Sequence, residues 1–222
     1  MAEIFTREYL PEEVPVQLRT SEKFPKAAAL IKHYESVKQS GNPHLVPYQD
    51  SGGNWTVGYG QLIDPDSKDI ERTPEWAETN LDNQIEVALE DVRKLEAKLP
   101  KGISFTHNEI EGLIPILQNV GYTKLTRQGK NAMKALQNGD KDTFAKELFD
   151  SEIGFVRGKD TEGKSIILKG LVERRGREGE IFSSGELKKL NSSEESKELN
   201  IFRKGGMISR NPYPYNPRPI WE

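Results

Sequence analysis

"PYQDSGGNWTVGYG", residues 47–60, decides how this chain is read. The glycine pair and Asn54 interrupt two extended runs and mark a tight turn between antiparallel arms. In "WTVGYG" the pattern alternates, so Trp55, Val57 and Tyr59 share a bulky packing face, while Thr56, Gly58 and Gly60 fall on a nearly bare one. Asp50 ends the first arm and Thr56 begins the second. That spacing makes them diagonal neighbours, with Cβ atoms about 7–8 Å apart, and able to share a water molecule. The same residues also fit an Asx-type turn, in which Asp50 caps backbone amides of "SGGN". The hairpin alone leaves both readings open.

Working outward, "PKAAALIKHYES" places Pro25 at a first helical turn ahead of Ala28, Leu30, Ile31 and Tyr34, and predicts a short helix with Glu35 near its C-terminal end. Gly41-Asn42-Pro43 breaks the chain before the hairpin. Residues 73–99 are the longest periodic segment. Thr73 is the N-cap, Pro74 the first helical residue, and Leu81, Ile85, Leu89, Val92, Leu95 and Leu99 form one stripe. This predicts a long helix linking two lobes.

"THNEIEGLIPILQNVG" opens on a capping box, Thr106 with Glu109, closes at Gly121, and carries Pro115 inside, where a kink is expected. A helical pair follows, burying Phe144, Leu148 and Phe149. Residues 153–170 read equally as loop or hairpin. "LVERRGREGEIF" predicts a last helix with a stripe of Leu171, Val172, Arg175 and Phe182. The expected organisation is an arm over 1–24, a catalytic domain over 25–182, and a polar, Pro/Tyr-rich tail over 183–222.

Composition narrows the classes. The 222 residues include 34% hydrophobic and 30% charged side chains, enough for a sizeable core. A net charge of −3 without a long basic run argues against a nucleic-acid partner. With no cysteine there is no disulfide framework, thiolate nucleophile or cysteine zinc site. His33, His44 and His107 show no metal-ligand spacing, which disfavours a zinc amidase, and His44 and His107 read as surface residues. The N-terminus lacks a signal-peptide pattern, and no apolar run is long enough to insert in a membrane. No cofactor is called for.

Four pieces in this order, the helix ending at Glu35, "YQDSGGNWTVGYG", "FTHNEIEGLIPILQNVG" and "GLVERRGREGEIF", resemble the phage-type lysozymes, the family 24 glycoside hydrolases. The resemblance covers residues 25–182. It implies an α+β lysozyme-like fold: a small lobe with helix and β-hairpin, a long connecting helix, a helical C-terminal lobe, and an active cleft between lobes.

It also implies a metal-free muramidase acting on bacterial peptidoglycan. Glu35 would be the acid, Asp50 would manage the attacking water, and Thr56 would help hold it. Such hydrolysis needs one carboxyl kept protonated and one kept ionised, and the negative end of a helix dipole favours the protonated form at Glu35. Gly58 and Gly60 would let sugar approach the backbone, while Tyr48, Trp55 and Tyr59 read first as core rings, one exposed edge of which could line the cleft. Arg174 or Arg175 would reach Glu35, the alternative for either being a pair with Glu173 or Glu178.

Glu35 and Asp50 are fifteen residues apart, an interval longer than the family's usual one, so the loop at "KQSGNP" is expected to bulge outward. Gln61 stands where relatives commonly carry histidine. Ser36 directly after Glu35 is a feature shared with lytic transglycosylases, the nearest rival. A degenerate wall-binding domain is the more distant one. The enzyme is expected to be a monomer, held in the host cytoplasm before release to the wall or carried in the virion, with the tail open to two readings: a docking segment for virion proteins, or an arm that wraps its own helical lobe and buries Trp221.

Overall fold

The computed structural model describes residues 18–50, 53–159, 163–187 and 190. The tail beyond residue 190, on which the docking expectation rests, lies outside them, as do residues 1–17.

A short helix α1, Thr20–Lys23, precedes α2, Pro25–Glu35. Although residues 20–23 belong to the segment expected as an arm, α1 is tied to the long helix. The Ser21 amide donates to Asp82 at 2.9 Å and the Arg19 guanidinium pairs with the same carboxylate at 2.6 Å. Proline at the first position of α2 costs no hydrogen bond, because that N–H has no helical acceptor. Its buried face is Ala27, Ala28, Leu30 and Ile31, and the helix stops at Glu35.

The "hairpin" is two arms of a three-stranded antiparallel sheet, ordered β1 (His44–Gln49), β2 (Trp55–Gly58), β3 (Gln61–Leu62). The added strand follows from Gly58 and Gly60, whose φ values of +65° and +81° turn the chain back after Val57. Alternation therefore ends at Gly58. The β1–β2 register slips between the His44–Gly58 and Tyr48–Thr56 pairs, and Pro47 sits in that irregular stretch, where a missing N–H is tolerated.

The long helix is α3, Pro74–Glu96, with Thr73 Oγ1 accepting from the Trp76 amide at 3.2 Å. Leu81, Ile85, Leu89, Val92 and Leu95 are buried as the stripe predicts. Its first turn lies on the sheet. A Cβ at Gly58 would stand 3.2 Å from the Trp76 ring and 3.7 Å from Ala77 Cβ, so this glycine serves helix–sheet packing rather than an open sugar-facing surface.

Helix α4, His107–Val120, has the predicted capping box and runs through Pro115 to Gly121. Helix α5, Tyr122–Gln128, has no counterpart in the sequence reading. It leads to α6, Lys130–Gln137, and α7, Lys141–Phe149. The ambiguous segment forms a second two-stranded sheet, β4 (Arg157–Lys159) with β5 (Ser165–Ile167).

Helix α8, Lys169–Ser184, packs closely along α4. A Cβ on Gly112 would come within 2.7 Å of the Phe182 backbone nitrogen and 2.8 Å of the Glu178 carbonyl, so only a glycine allows this approach. Phe182 joins Phe105, Phe144 and Phe149 in an aromatic cluster with centroids 5.6–6.5 Å from it. The buried face of α8 keeps Arg175 and Phe182 of the predicted stripe and departs from it elsewhere. Leu171 and Val172 are half-buried, and the enclosed residues are Arg174, Arg175, Glu178, Ile181 and Phe182. The fold is thus α+β and mainly helical.

Candidate active site

The last residue of α2 puts a carboxylate inside the protein. Glu35 is 4% exposed. Arg174 Nη1 donates to Glu35 Oε1 at 2.9 Å, joining residues 139 positions apart in the chain. The same guanidinium donates through Nε to Glu178 Oε1 at 3.1 Å, and through Nη2 to Gln118 Oε1 at 3.2 Å and the Pro115 carbonyl at 3.4 Å. Its cationic plane also lies 5.4 Å from the centre of the Tyr34 ring.

Arg175, the alternative candidate, is turned elsewhere. It donates to the Phe155 carbonyl at 3.3 Å, to Asn119 Oδ1 at 2.6 Å, and to Glu178 Oε2. Both readings offered for the arginines hold for Arg174, which meets Glu35 and pairs with Glu178 at once. A single buried glutamate thus bridges two buried arginines. Burial opposes the charge of Arg174, but Glu35 and Glu178 outweigh it and raise its pKa. Arg175 has one acid beside it and a like charge next door, and burial lowers its pKa to about 10. Both remain cations at neutral pH.

The second group lies on the sheet. Tyr48 stands opposite Thr56 in the register, and Asp50 follows two residues on, which makes Asp50 the diagonal neighbour of Thr56. Asp50 is half-buried and also caps the turn, accepting from the Asn54 amide at 2.9 Å and the Asn54 side chain at 3.3 Å. The Asx-turn reading and the diagonal reading are therefore both realised. Thr56 is 1% exposed, and Gly58 and Gly60 are buried beside it, so the face expected to be bare is covered. Tyr48 is half-buried with its ring 4.4 Å from that of His44.

Between the two groups, the extra residues close on themselves. Ser36 Oγ donates to the His33 carbonyl at 3.2 Å and accepts from the Gly41 amide at 2.8 Å, and Val37 N donates to the Asn42 carbonyl at 3.0 Å. Tyr59 Oη pins the loop from outside, bonding to the Gly41 carbonyl at 3.1 Å and to Glu78 at 2.9 Å. Gln61 turns its amide to the Leu62 carbonyl at 2.8 Å.

Of the histidines, His33 is buried against Tyr34, His44 is half-buried, and His107 is stacked on Phe24 at 5.2 Å. Among the described residues no group of three or more acidic or histidine side chains is arranged to hold a metal, and no helix is long and apolar enough to cross a membrane.

Sequence reasoning treats Glu178 only as an ion-pair partner and does not single out Gln118 or Asn119. The signal for Glu178 is its spacing, three and four residues after the two arginines. The two amides carry no sequence signal, because nothing in a helix pattern marks which polar residue faces a neighbouring helix.

The structure resembles several solved proteins. The muramidase domain of SpmX from Asticaccaulis excentricus superposes with a TM-score of 0.56 at 20% identity, covering 71% of this chain and 95% of that one. The active form of the P1 phage endolysin Lyz gives 0.54 at 20% identity, covering 76% and 87%. The endolysin of Escherichia coli O157:H7 phage FAHEc1 gives 0.52 at 27% identity, covering 74% and 94%. In sequence, the endolysin of Acyrthosiphon pisum secondary endosymbiont phage 1 is 30% identical over 161 residues, 72% of this chain and 96% of that protein.

The phage lysozyme family model matches residues 38–178, a span that takes in the sheet, Asp50, Thr56 and the Arg174–Arg175–Glu178 cluster and starts just past Glu35. With the sheet, α3 to α7 and the buried arginines inside that match, and with the 30% identical endolysin covering 72% of the chain, the chain belongs to the phage lysozyme family.

Proposed function

We propose that this lysozyme hydrolyses the β-1,4 bond between N-acetylmuramic acid and N-acetylglucosamine, the specific form of the peptidoglycan-degrading activity of its family. The observation that carries the reading is Glu35, a carboxyl enclosed at the C-terminal end of α2 with Arg174 at 2.9 Å. Glu178 accepts from the same arginine, so Arg174 approaches Glu35 already partly neutralised and fixes its orientation. Glu35 donates its proton to the glycosidic oxygen as the bond breaks. A water held by Asp50 and Thr56 attacks the anomeric carbon, with Asp50 drawing off its proton.

Digestion of purified peptidoglycan with mass analysis of the fragments tests the proposal. Ordinary reducing ends are expected, and 1,6-anhydromuramoyl ends would overturn it in favour of transglycosylation. Ser36 gives no support to that rival, since its hydroxyl is occupied in closing the 36–42 loop. Release from the host cytoplasm to the wall, or carriage in the virion through the tail, is the setting in which this activity would operate.

A further inference from the structure

A line of amides leads away from the Glu35 ion pair. Beyond Arg174, Gln118 Nε2 donates to Gln84 Oε1 at 2.9 Å, and Gln84 Nε2 donates to Asn80 Oδ1 at 2.8 Å. The direction is set by chemistry. A guanidinium only donates, so Gln118 must present its oxygen to Arg174 and its NH2 to Gln84, which fixes Gln84 and then Asn80 in turn. Gln84 and Gln118 are half-buried and Asn80 is 8% exposed. Such residues are costly to order where apolar ones would pack. All of this lies on α3 and α4, remote from Asp50 and Thr56 in the chain.

We propose that Gln118 and Gln84 are positioning residues that hold Arg174 in the orientation meeting Glu35 and tether this ion pair to α3. The proposal rests on the reading of Glu35 as the acid. Around Arg174, α2 contributes Glu35 and the Tyr34 ring, α8 contributes Glu178 and the neighbouring Arg175, and α4 contributes the uncharged Gln118 and Pro115 carbonyl. The side-chain acceptor that α4 offers Arg174 is therefore an amide, and Gln84 holds it in the one orientation that Arg174 accepts.

The test uses the full chain. Gln118→Leu should lower kcat roughly tenfold while leaving KM within about twofold, because misalignment affects the transition state more than binding. Gln84→Leu should lower kcat less, and Gln84→Glu should recover most of that loss, since its carboxylate still accepts from Gln118 and Asn80 is free to turn its amide. Gln118→Glu places a third carboxylate beside Arg174, after Glu35 and Glu178, in competition with Glu35. It should move the alkaline limb of the kcat/KM profile upward by about half a pH unit or more. Native kcat in Gln84→Leu, or a Gln118→Glu profile superimposable on the native one, would overturn the proposal.

NMR exchange of the Arg174 guanidinium protons separates this from the acid assignment. Protection in the native protein that is lost in Gln84→Leu supports the tether, and equal protection in both overturns it. A Glu35→Gln variant that kept its activity would remove the acid assignment and leave the tether to be decided by this exchange alone.

Discussion

Arg174 and Arg175 are neighbours in sequence and share one carboxylate: Glu178 Oε1 takes Nε of Arg174 at 3.1 Å, while its Oε2 takes Nη1 of Arg175. All three side chains are enclosed, Arg175 and Glu178 completely. Removing the acid strips Arg175 of the carboxylate it donates to and leaves Arg174 with Glu35 alone, beside a second buried cation. Glu178→Ala should therefore destabilise the fold by about 3–5 kcal/mol, the usual result of breaking a buried ion pair from one side. Urea denaturation measures it, and a loss below about 1 kcal/mol would mean that the cations find other partners.

Glu35→Gln should fold normally and lose nearly all turnover. A general acid typically contributes 10²–10⁴-fold, so a variant retaining more than about a tenth of native activity on peptidoglycan would refute the assignment.

Asp50→Asn separates the turn cap that Asp50 makes from the water-activating role proposed for it. An amide oxygen still accepts from the Asn54 amide that lies 2.9 Å away, so the turn and the melting temperature should persist. Turnover should nevertheless fall by about 10²-fold or more, because the carboxylate that takes the water's proton is gone. Thr56→Ala should cost less turnover than Asp50→Ala. A drop in melting temperature matching the drop in rate for Asp50→Asn would mean the residue is a turn cap only.

Stability should fall in mild acid because of His33. Burial, with Arg177 assisting, lowers its pKa below the ordinary 6.5. The unfolded chain then binds a proton that the folded chain refuses, so stability is full above 6.5 and is lost as pH drops from there toward the folded value. His33→Gln should flatten the urea midpoint across that window. An unchanged slope in the variant would assign acid sensitivity to other groups.

If docking to virion proteins is the role of the tail, deleting residues 205–222 should leave turnover on soluble peptidoglycan fragments unchanged and abolish co-purification with virions. Lower stability in the truncated protein, or absence of the full-length protein from purified particles, would rule out a docking role.

The pieces that can be read from sequence are those governed by local rules. Thr73 with Pro74 and Thr106 with Glu109 fix helix starts through backbone bonds within one turn, and both starts are found where expected. The Asp50–Thr56 relationship is legible because strand alternation and a short turn leave few registers. What escapes is set by distant partners. The third strand depends on left-handed turns at Gly58 and Gly60, which an alternating pattern disguises. The buried face of α8 is only partly legible: Arg175 lies on the predicted stripe, but nothing in the helix pattern shows that Arg174 is enclosed until Glu35, Gln118 and Glu178 are placed around it. The line through Gln118 and Gln84 depends on how α3 and α4 face each other, which no single helix records.

Gly112 gives the site its tolerance. Phe182 presses on that glycine eight residues beyond Arg174, about 12 Å along the axis of α8. A helix seated so tightly at one end acts as a rigid lever, and any side chain at position 112 would lift it away from α4. The far end would then swing Arg174 off Gln118 and Glu35, so the alignment of that ion pair depends on a residue that takes no part in it.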